Sequence, residues 1–410
     1  MTLLGRLLEQ RNGLENPQRP LTDTAIAEWL GGDTRTDSGI SVTPTSSLGM
    51  AAVWRSVSLI AGVSASLPFK AYRRGDAREQ VDRRILWDPH PEMTGFEFWR
   101  LTYAQRCLWG NHYSLKRRNG GGMVTELHPL DPSRMRVGCS REWVDPLTNP
   151  TGKVFAYTDD NGQLQVLLPS DVLHLSGLGY DGVTGVSPIR MARQAIALAL
   201  AAESYGGRLF GQGSLLTGVL QTEQRLAAED AERLKMRWKA RMSGLASAHD
   251  VAVLDAGATF QSMTMPNSDA QFIESRAFQT REIERFMGVP PFLMMDTENS
   301  TSWGTGLEQQ ATAWVKFDLY PTWLAPTEGR ATKELVLDPN VYAEYTIEGL
   351  LRGDSVARAA FYRVMREVGA LSANDIRRLE NRPPVPDGDT YLQPLNLAPL
   401  GYDPTTGAAK

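Results

Sequence analysis

The chain has 410 residues, 42% of them hydrophobic, with 43 basic and 47 acidic residues and a net charge of −4. That length is enough for more than one core, and the charge argues against a tight nucleic-acid binder, because affinity for phosphate grows with each neutralising Lys or Arg. Cys107 and Cys139 cannot form a disulfide framework, and the five histidines lack metal-ligand spacing. We therefore expect a reducing compartment and no metal or cofactor. The sequence also leads us to expect no export signal and no membrane anchor.

Residues 1–46 are polar and punctuated by Gly and Pro, which predicts a partly disordered N-terminal arm. From Ser47 onwards the apolar residues have the spacing of a helix. A short strand over Leu67 to Tyr72 comes next, where Pro68 favours a sheet edge. Thr94 and Glu97 match a capping box, which predicts a helix start at this point.

Residues 111–175 change to a pattern typical of strands joined by tight turns. Six strands are predicted, and their spacing favours antiparallel hairpins beside a few helices, an α+β unit. They cover Tyr113 to Arg118, Val124 to Leu127, Arg134 to Val137, Val154 to Tyr157, Leu164 to Leu168 and Val172 to Leu175.

The segment from Gly177 to Gly182 matches the glycine fingerprint of dinucleotide-binding proteins. That fingerprint works only when its glycines open the helix whose N-terminus holds the pyrophosphate. Here Val183 to Val186 intervene before Ser187 and Pro188, which predict the start of the next helix. A nucleotide-dependent enzyme using Gly177 to Gly182 is therefore kept only as an alternative function.

The predicted helix from Ser187 runs to about Phe210 and is rich in small residues, which let neighbouring helices approach closely. A buried core helix and a helix that packs against copies of itself in a ring both fit this composition. The next segment, 213–268, predicts a small α/β insertion. Its helix carries Arg233, Arg237 and Arg241 four residues apart on one face, which indicates either a solvated face or a docking surface.

A further helix is predicted from Asp269 to about Met287, where Gly288, Pro290 and Pro291 end it. Its apolar residues do not form one narrow stripe, so we expect neighbours on two sides. A hydroxyl-rich loop without any basic residue follows. The next amphipathic run begins near Leu307 and is expected to break at Pro321.

After Pro321 the sequence predicts a short helix, a strand over Val341 to Ile347, a helix from Asp354 to Val368, and a small helix after Ser372. The Pro-rich end, 381–410, is expected to be an extended tail.

The order of these elements resembles the portal protein family of tailed bacteriophages, of the siphophage or lambdoid type. Five segments carry the resemblance, and its specificity comes from their order between about residues 47 and 389. They are Val53 to Ile60 with Leu67 and Pro68, Leu127 to Pro132, Val172 to Leu175 with Gly185 to Pro188, Phe286 to Pro291, and Leu371 to Asp389.

The resemblance implies a portal-type subunit of an α+β fold that assembles as a homo-oligomeric ring, commonly a dodecamer. After the arm, the family's parts fall on this sequence as follows: an α+β wing (47–186), a stem helix (187–212), a clip (213–268), a second stem helix (269–288), a tunnel loop (289–306), a long helix that returns to the wing (307–353) and a helical crown (354–380).

The implied function is a channel at one capsid vertex through which double-stranded DNA is packaged and ejected. No catalysis is expected, because the chain has no phosphate-binding Gly-x-x-x-x-Gly-Lys-Ser/Thr loop. The expected location is the virion, with assembly in the host cytoplasm. Expected partners are the DNA, the major capsid protein, the large terminase subunit and a head–tail adaptor.

Residue roles follow from this resemblance as expectations. A loop without Lys or Arg suits a channel that must surround DNA without holding it. We expect the DNA-facing residues of this loop to be Asp296, Glu298, Asn299, Ser300, Thr301, Ser302 and Trp303. Arg233, Arg237 and Arg241 are expected to dock the motor and the tail connector. A head or tail ring that does not conduct DNA remains the second alternative.

Overall fold

The computed structural model describes residues 36–75, 79–211, 218–221, 229, 232–233, 236, 259–262, 269–296, 305–347, 350, 355–380, 382–391, 402–403 and 408–409. The chain divides into two compact units. The first comprises residues 1–303 and 316–345, and the second comprises residues 304–315 and 346–410.

The first unit begins with helix α1 (Ala51–Ser66), which packs against helix α2 (Gly95–Trp109). The predicted capping box is confirmed at the start of α2. The Thr94 hydroxyl accepts from the Glu97 N–H, and the Glu97 carboxylate accepts from the Thr94 N–H. Gly110 ends α2 in the left-handed conformation, with φ of 75°.

A three-stranded antiparallel sheet packs beside these helices. It places β1 (Phe69–Arg73) between β2 (Glu79–Val81) and β11 (Val341–Tyr345). The expectation that Pro68 marks an edge strand is wrong. Pro68 lies just before β1, so the strand keeps its donors and pairs on both sides.

All six predicted hairpin strands are confirmed, within two or three residues at their ends. The strands are β3 (Asn111–Arg118), β4 (Val124–Leu130), β5 (Met135–Cys139), β6 (Lys153–Thr158), β7 (Leu164–Leu167) and β8 (Val172–Ser176). They form two antiparallel sheets, of order β4-β3-β8 and β5-β6-β7. Tyr113 and Phe155 pack edge to face, 5.9 Å apart, in a cluster of buried side chains from both sheets.

The predicted long helix begins at Pro188, with the Ser187 hydroxyl accepting from the Arg190 N–H. It comprises α3 (Pro188–Met191) and, one residue later, α4 (Arg193–Gly211). Of the inserted segment, the structure describes a hairpin of β9 (Gly218–Gln221) and β10 (Thr259–Ser262). Helix α5 (Asp269–Met287) matches its predicted bounds and packs against α4 and α1, which gives it the expected neighbours on two sides.

The expected helix break at Pro321 is wrong, because Pro321 lies inside a π-helical segment, Val315–Leu324. Buried Arg106 of α2 supports this segment. Its Nη2 donates to the Thr322 carbonyl (3.2 Å) and its Nη1 to the Trp323 carbonyl (2.8 Å). These bonds connect α2 to the π-helical segment. Helix α7 (Ala325–Ala331) and a π-helical turn (Thr332–Val336) then lead to β11.

The second unit contains α6 (Thr305–Trp314), α8 (Ser355–Glu367) and α9 (Ala373–Leu379). The predicted small helix after Ser372 is confirmed, and Ser372 and Asp375 form a capping box at its start. Glu380 accepts from the Tyr362 hydroxyl (2.6 Å), which ties α8 to the end of α9.

Candidate functional site

The residues expected to face DNA lie between α5 and α6. Asp296 is described. Glu298, Asn299, Ser300, Thr301, Ser302 and Trp303 lie outside the described residues, as do Arg237 and Arg241 of the insertion. Arg233 is described, and it is exposed in a helical turn. The structure therefore defines the base from which the loop begins, and the loop residues themselves remain a sequence prediction.

The end of α5 is closed by a glycine turn that directs the chain towards the loop. Gly288 has a φ of 67°, a conformation that side chains disfavour. The Val289 N–H bonds to the Glu284 carbonyl (3.1 Å), and the Gly288 N–H bonds to the Arg285 carbonyl (3.2 Å). These two bonds satisfy the last carbonyls of the helix in a Schellman arrangement. The stop predicted at Gly288 thus has a defined geometry.

A 3₁₀ turn, Pro291–Met294, follows and is bound to α1. Arg55 donates from Nε and Nη2 to the Leu293 carbonyl, at 3.2 and 3.1 Å, and the Ser56 hydroxyl contacts the Met294 sulfur at 3.6 Å. Arg55 belongs to the segment that carried the family resemblance, but nothing in the sequence pairs it with a residue 238 positions away. It fixes the position at which the loop leaves the folded unit.

Asp296 forms an ion pair with Arg281 of α5, at 3.3 Å between Oδ2 and Nε. The side chains are 24% and 35% exposed, so this carboxylate is partly withdrawn from solvent. Asp296 was expected among the DNA-facing residues. The structure gives it an anchoring contact at the first position of the loop.

Glu284 lies one turn from this ion pair and is almost fully buried, at 1% exposure. Neither of its carboxylate oxygens has a hydrogen-bond partner. Burial raises the pKa of Glu284, and the Asp296 carboxylate raises it further, while Arg281 opposes the shift. Burial therefore shifts the balance of Glu284 towards its protonated form.

We expect replacing Glu284 with Gln to stabilise the folded chain at neutral pH, by about 1 kcal/mol. The folded state holds the proton more tightly than the unfolded state, so ionising Glu284 costs stability as pH rises above the ordinary pKa of 4.5. The gain should therefore shrink as pH falls towards 4.5. Urea denaturation between pH 4.5 and 8 measures this gain, with Glu282→Gln, at a partly exposed position of the same helix, as the control. A gain independent of pH, or one shared by the control, would contradict this account.

The glycine segment from Gly177 to Gly182 serves backbone packing within the first unit. The Gly177 N–H bonds to the Gly110 carbonyl (2.8 Å), and the side-chain amide of Asn111 bonds to both the N–H and the carbonyl of Gly185. A Cβ on Gly185 would lie 2.3 Å from the Gly110 oxygen, so only glycine fits there. The segment follows an antiparallel strand and does not open α3, so it lacks the geometry that the nucleotide fingerprint requires.

Within the described ranges, no group of His, Cys, Asp and Glu side chains has the arrangement of a metal site. Among the described helices, none combines the length and the apolar character needed to cross a bilayer.

Solved structures show which class of fold these elements form. The chain matches a subunit in the virion of a native gene transfer agent particle with a TM-score of 0.58 at 20% identity, over 94% of this chain and 100% of that one. It also matches an HK97 family phage portal protein from Corynebacterium diphtheriae with a TM-score of 0.57 at 16% identity, over 75% and 96% of the two chains. The fold is that of a portal-type subunit.

Sequence comparisons then show the family. The model of the phage portal protein family matches residues 51–381. The chain is 33% identical to the portal protein of Enterobacteria phage HK97, over 86% of this chain and 83% of that one. It is 36% identical to a probable portal protein of Streptomyces phage phiC31, over 90% and 82%. The chain belongs to the phage portal protein family.

The resemblance deduced from the sequence is therefore confirmed, together with the α+β portal-type fold and the portal function. The chain is a structural protein of the phage portal family.

Proposed function

We propose that residues 297–304 line the narrowest part of the ring's channel, and that the contacts at 289–296 hold the base of this loop in place. The observation that carries the proposal is the anchored base. Arg55 binds the Leu293 carbonyl, and Arg281 binds the Asp296 carboxylate. Beyond Asp296 the sequence has no basic residue until Lys316.

The chemistry of the loop supports sliding contact with DNA. Asn299, Ser300, Thr301 and Ser302 offer hydrogen-bonding groups that exchange readily, while Glu298 repels phosphate. Without Lys or Arg, the loop releases no counterions from the duplex and gains no affinity from that source. A channel of this kind surrounds DNA without stopping it. Trp303 either braces the loop or touches the duplex.

The remaining division of the chain is proposed on the same basis: an arm (1–46), a wing (47–186), stem helices (187–212 and 269–288), a clip (213–268), a return to the wing (307–353), a crown (354–380) and a tail (381–410). The packing of α4 against α5 supports the stem, and the β9–β10 hairpin supports a separate clip. Twelve copies are proposed for the ring. A neck ring computed with C12 symmetry matches this fold at a TM-score of 0.56 and 21% identity.

We further propose that this subunit has no catalytic role, and that a separate ATPase drives DNA movement. The proposed partners are the large terminase subunit, the major capsid protein and a head–tail adaptor, with assembly in the host cytoplasm. The competing role, a ring that does not conduct DNA, predicts a channel too narrow for a duplex.

Electron microscopy of the purified ring tests this assignment. We expect twelve subunits around a channel wide enough for double-stranded DNA, with the narrowest point formed by residues 297–304. A narrowest point formed by residues of the wing or the clip would contradict the proposed role of the loop. A channel closed to a duplex would favour the non-conducting ring.

The arginines of the insertion give a second test. Reversing the charge of Arg233, Arg237 and Arg241 to Glu should weaken motor docking by at least about tenfold at low salt, with a smaller effect at high salt, because exposed charges are screened. Rings should still form. Binding of the large terminase subunit to purified rings at several salt concentrations measures this. Equal binding by the variant and the unmodified ring would show that this face is only solvated.

The matched control carries the same number of charge reversals on the wing, at exposed Arg100, Arg117 and Arg141. Motor binding should be retained in that control. Equal loss in both variants would indicate a general effect of net charge on docking.

A further inference from the structure

Helix α4 carries two apolar faces, of which its own subunit covers one. Ala192, Ile196 and Ala199 are buried. A second row lies one residue earlier: Met191 ends α3, and Ala195, Leu198, Ala202 and Tyr205 follow on α4 at intervals of three, four and three. This spacing keeps the row on one side of the helix, as in the seam of a coiled coil. Met191, Leu198 and Tyr205 are 56%, 52% and 60% exposed.

The loop before α3 adds two exposed apolar side chains. Leu178 and Tyr180, at 88% and 87% exposure, project from it. The Val186 N–H bonds to the Leu178 carbonyl at 2.7 Å, which holds Leu178 beside the residues that lead into the helix. We name Leu178, Tyr180, Met191, Leu198 and Tyr205 the stem strip.

The loop is built to hold these side chains in place. Lys153 donates to the Val183 carbonyl (2.9 Å), and the Asp181 carboxylate accepts from the N–H groups of Val183 and Thr184. A loop that is already ordered loses little conformational freedom when it binds. Exposed apolar patches of more than a few hundred Å² are rare on proteins that function as monomers. These two facts indicate a docking surface.

The neighbouring helix α5 exposes two phenylalanines, with Glu282 between them one turn from each. On α5, Gln279, Ile283 and Met287 are buried, whereas Phe278 and Phe286 are 55% and 50% exposed. A ring uses head-to-tail contacts, so each copy must offer two unlike surfaces that fit each other. The stem strip on α4 and the two phenylalanines on α5 form such a pair. Because α4 packs against α5 within the subunit, a contact between the strip and α5 of the next copy would make the two helices alternate around the ring.

We propose that the stem strip binds the Phe278 and Phe286 face of the adjacent copy, and that this contact closes the ring. The proposal rests on the ring assembly of the portal and adds which residues form the contact. A second copy is the occupant because the ring brings the stem of one copy beside that of the next, and because the row on α4 has the spacing of helix-to-helix packing.

The test places a charge in the strip of the full-length chain. Leu198→Asp should weaken ring assembly by about 100-fold or more, since an unpaired carboxylate in an apolar contact is costly. Ser204→Asp places the same charge on an exposed position on the other side of α4, away from the strip, and should assemble normally. Native mass spectrometry over a concentration series measures assembly, and circular dichroism checks that the subunit is folded.

Crosslinking gives a second readout that does not depend on the folding of Leu198→Asp. Both variants are made in a Cys139→Ser background, one with Leu198→Cys and the other with Phe278→Cys. When the two are mixed into rings and treated with a short bismaleimide, we expect crosslinked dimers. Either variant alone should give none. Rings that assemble normally with Leu198→Asp, or mixed rings without crosslinks, would overturn the proposal while leaving portal function intact. An unmodified chain that forms no ring would remove both.

Discussion

Replacing Glu298, Ser300 and Ser302 with Lys should slow or block DNA packaging while ring formation stays normal. Each added cation beside the duplex displaces counterions and strengthens the hold on phosphate. If twelve copies carry three new charges each, a loop built for sliding contact becomes a tight binding site. The measurement is the length of DNA per filled head and the rate of packaging, with incorporation of the portal checked separately.

A neutral variant separates added charge from lost side chains. Glu298→Gln with Ser300→Thr and Ser302→Thr keeps hydrogen-bonding groups and adds no cation. It should package DNA at close to the normal rate. Full-length packaging at normal rate by the lysine variant would show that this loop does not meet the DNA. An equal defect in the neutral variant would show that the effect does not come from charge.

Arg106→Met should give the second large effect, a loss of about 2–4 kcal/mol in the free energy of unfolding. Arg106 donates to the carbonyls of Thr322 and Trp323 in the π-helical segment that contains Pro321. Its guanidinium also lies 5.2 Å from the Trp323 ring centre. Methionine fills much of the space but offers no donor, so the buried Trp323 carbonyl and Thr327 hydroxyl and the partly buried Thr322 carbonyl each lose a hydrogen bond.

The matched control is Arg100→Met on the same helix. Arg100 is exposed, and its described contact is with the exposed Phe96 ring, so its loss should cost less than about 0.5 kcal/mol. Urea denaturation of both variants gives the comparison. An Arg106→Met variant as stable as the unmodified chain would show that the π-helical segment does not depend on this arginine.

Local signals in the sequence predicted much of this fold. The capping boxes at Thr94 and Ser372 marked true helix starts, because they rest on bonds between residues three positions apart. The antiparallel hairpins followed from alternating apolar residues and Asn-Gly turns. The bounds of α5 followed from its terminating glycine and prolines.

The errors came from long-range contacts. Pro321 was expected to end a helix, but Arg106, more than 200 positions away, donates to neighbouring carbonyls and supports a π-helical segment there. Arg55 was missed as an anchor for the same reason, since its partner Leu293 is 238 positions away. The sequence pattern places Pro68 inside the strand, which favours a sheet edge, whereas β1 begins one residue later, at Phe69.

The base of the proposed channel loop was only partly predictable. The stop at Gly288 could be read from sequence, whereas the ion pair between Arg281 and Asp296 depends on how the chain turns after the helix. Asp296 was grouped with the hydroxyl residues because all of them fall in one polar run. The structure separates it from that group by pairing it with Arg281.

Crosslinking from the loop to packaged DNA tests the central claim most directly. Heads would be filled using portals with Ser300→Cys in a Cys139→Ser background, labelled with a photoactivated crosslinker. The control is Gln163→Cys, in the exposed turn between β6 and β7. We predict subunits covalently linked to DNA from position 300 and none from position 163. Filled heads that give no link from position 300, or equal links from both positions, would contradict a channel lined by this loop.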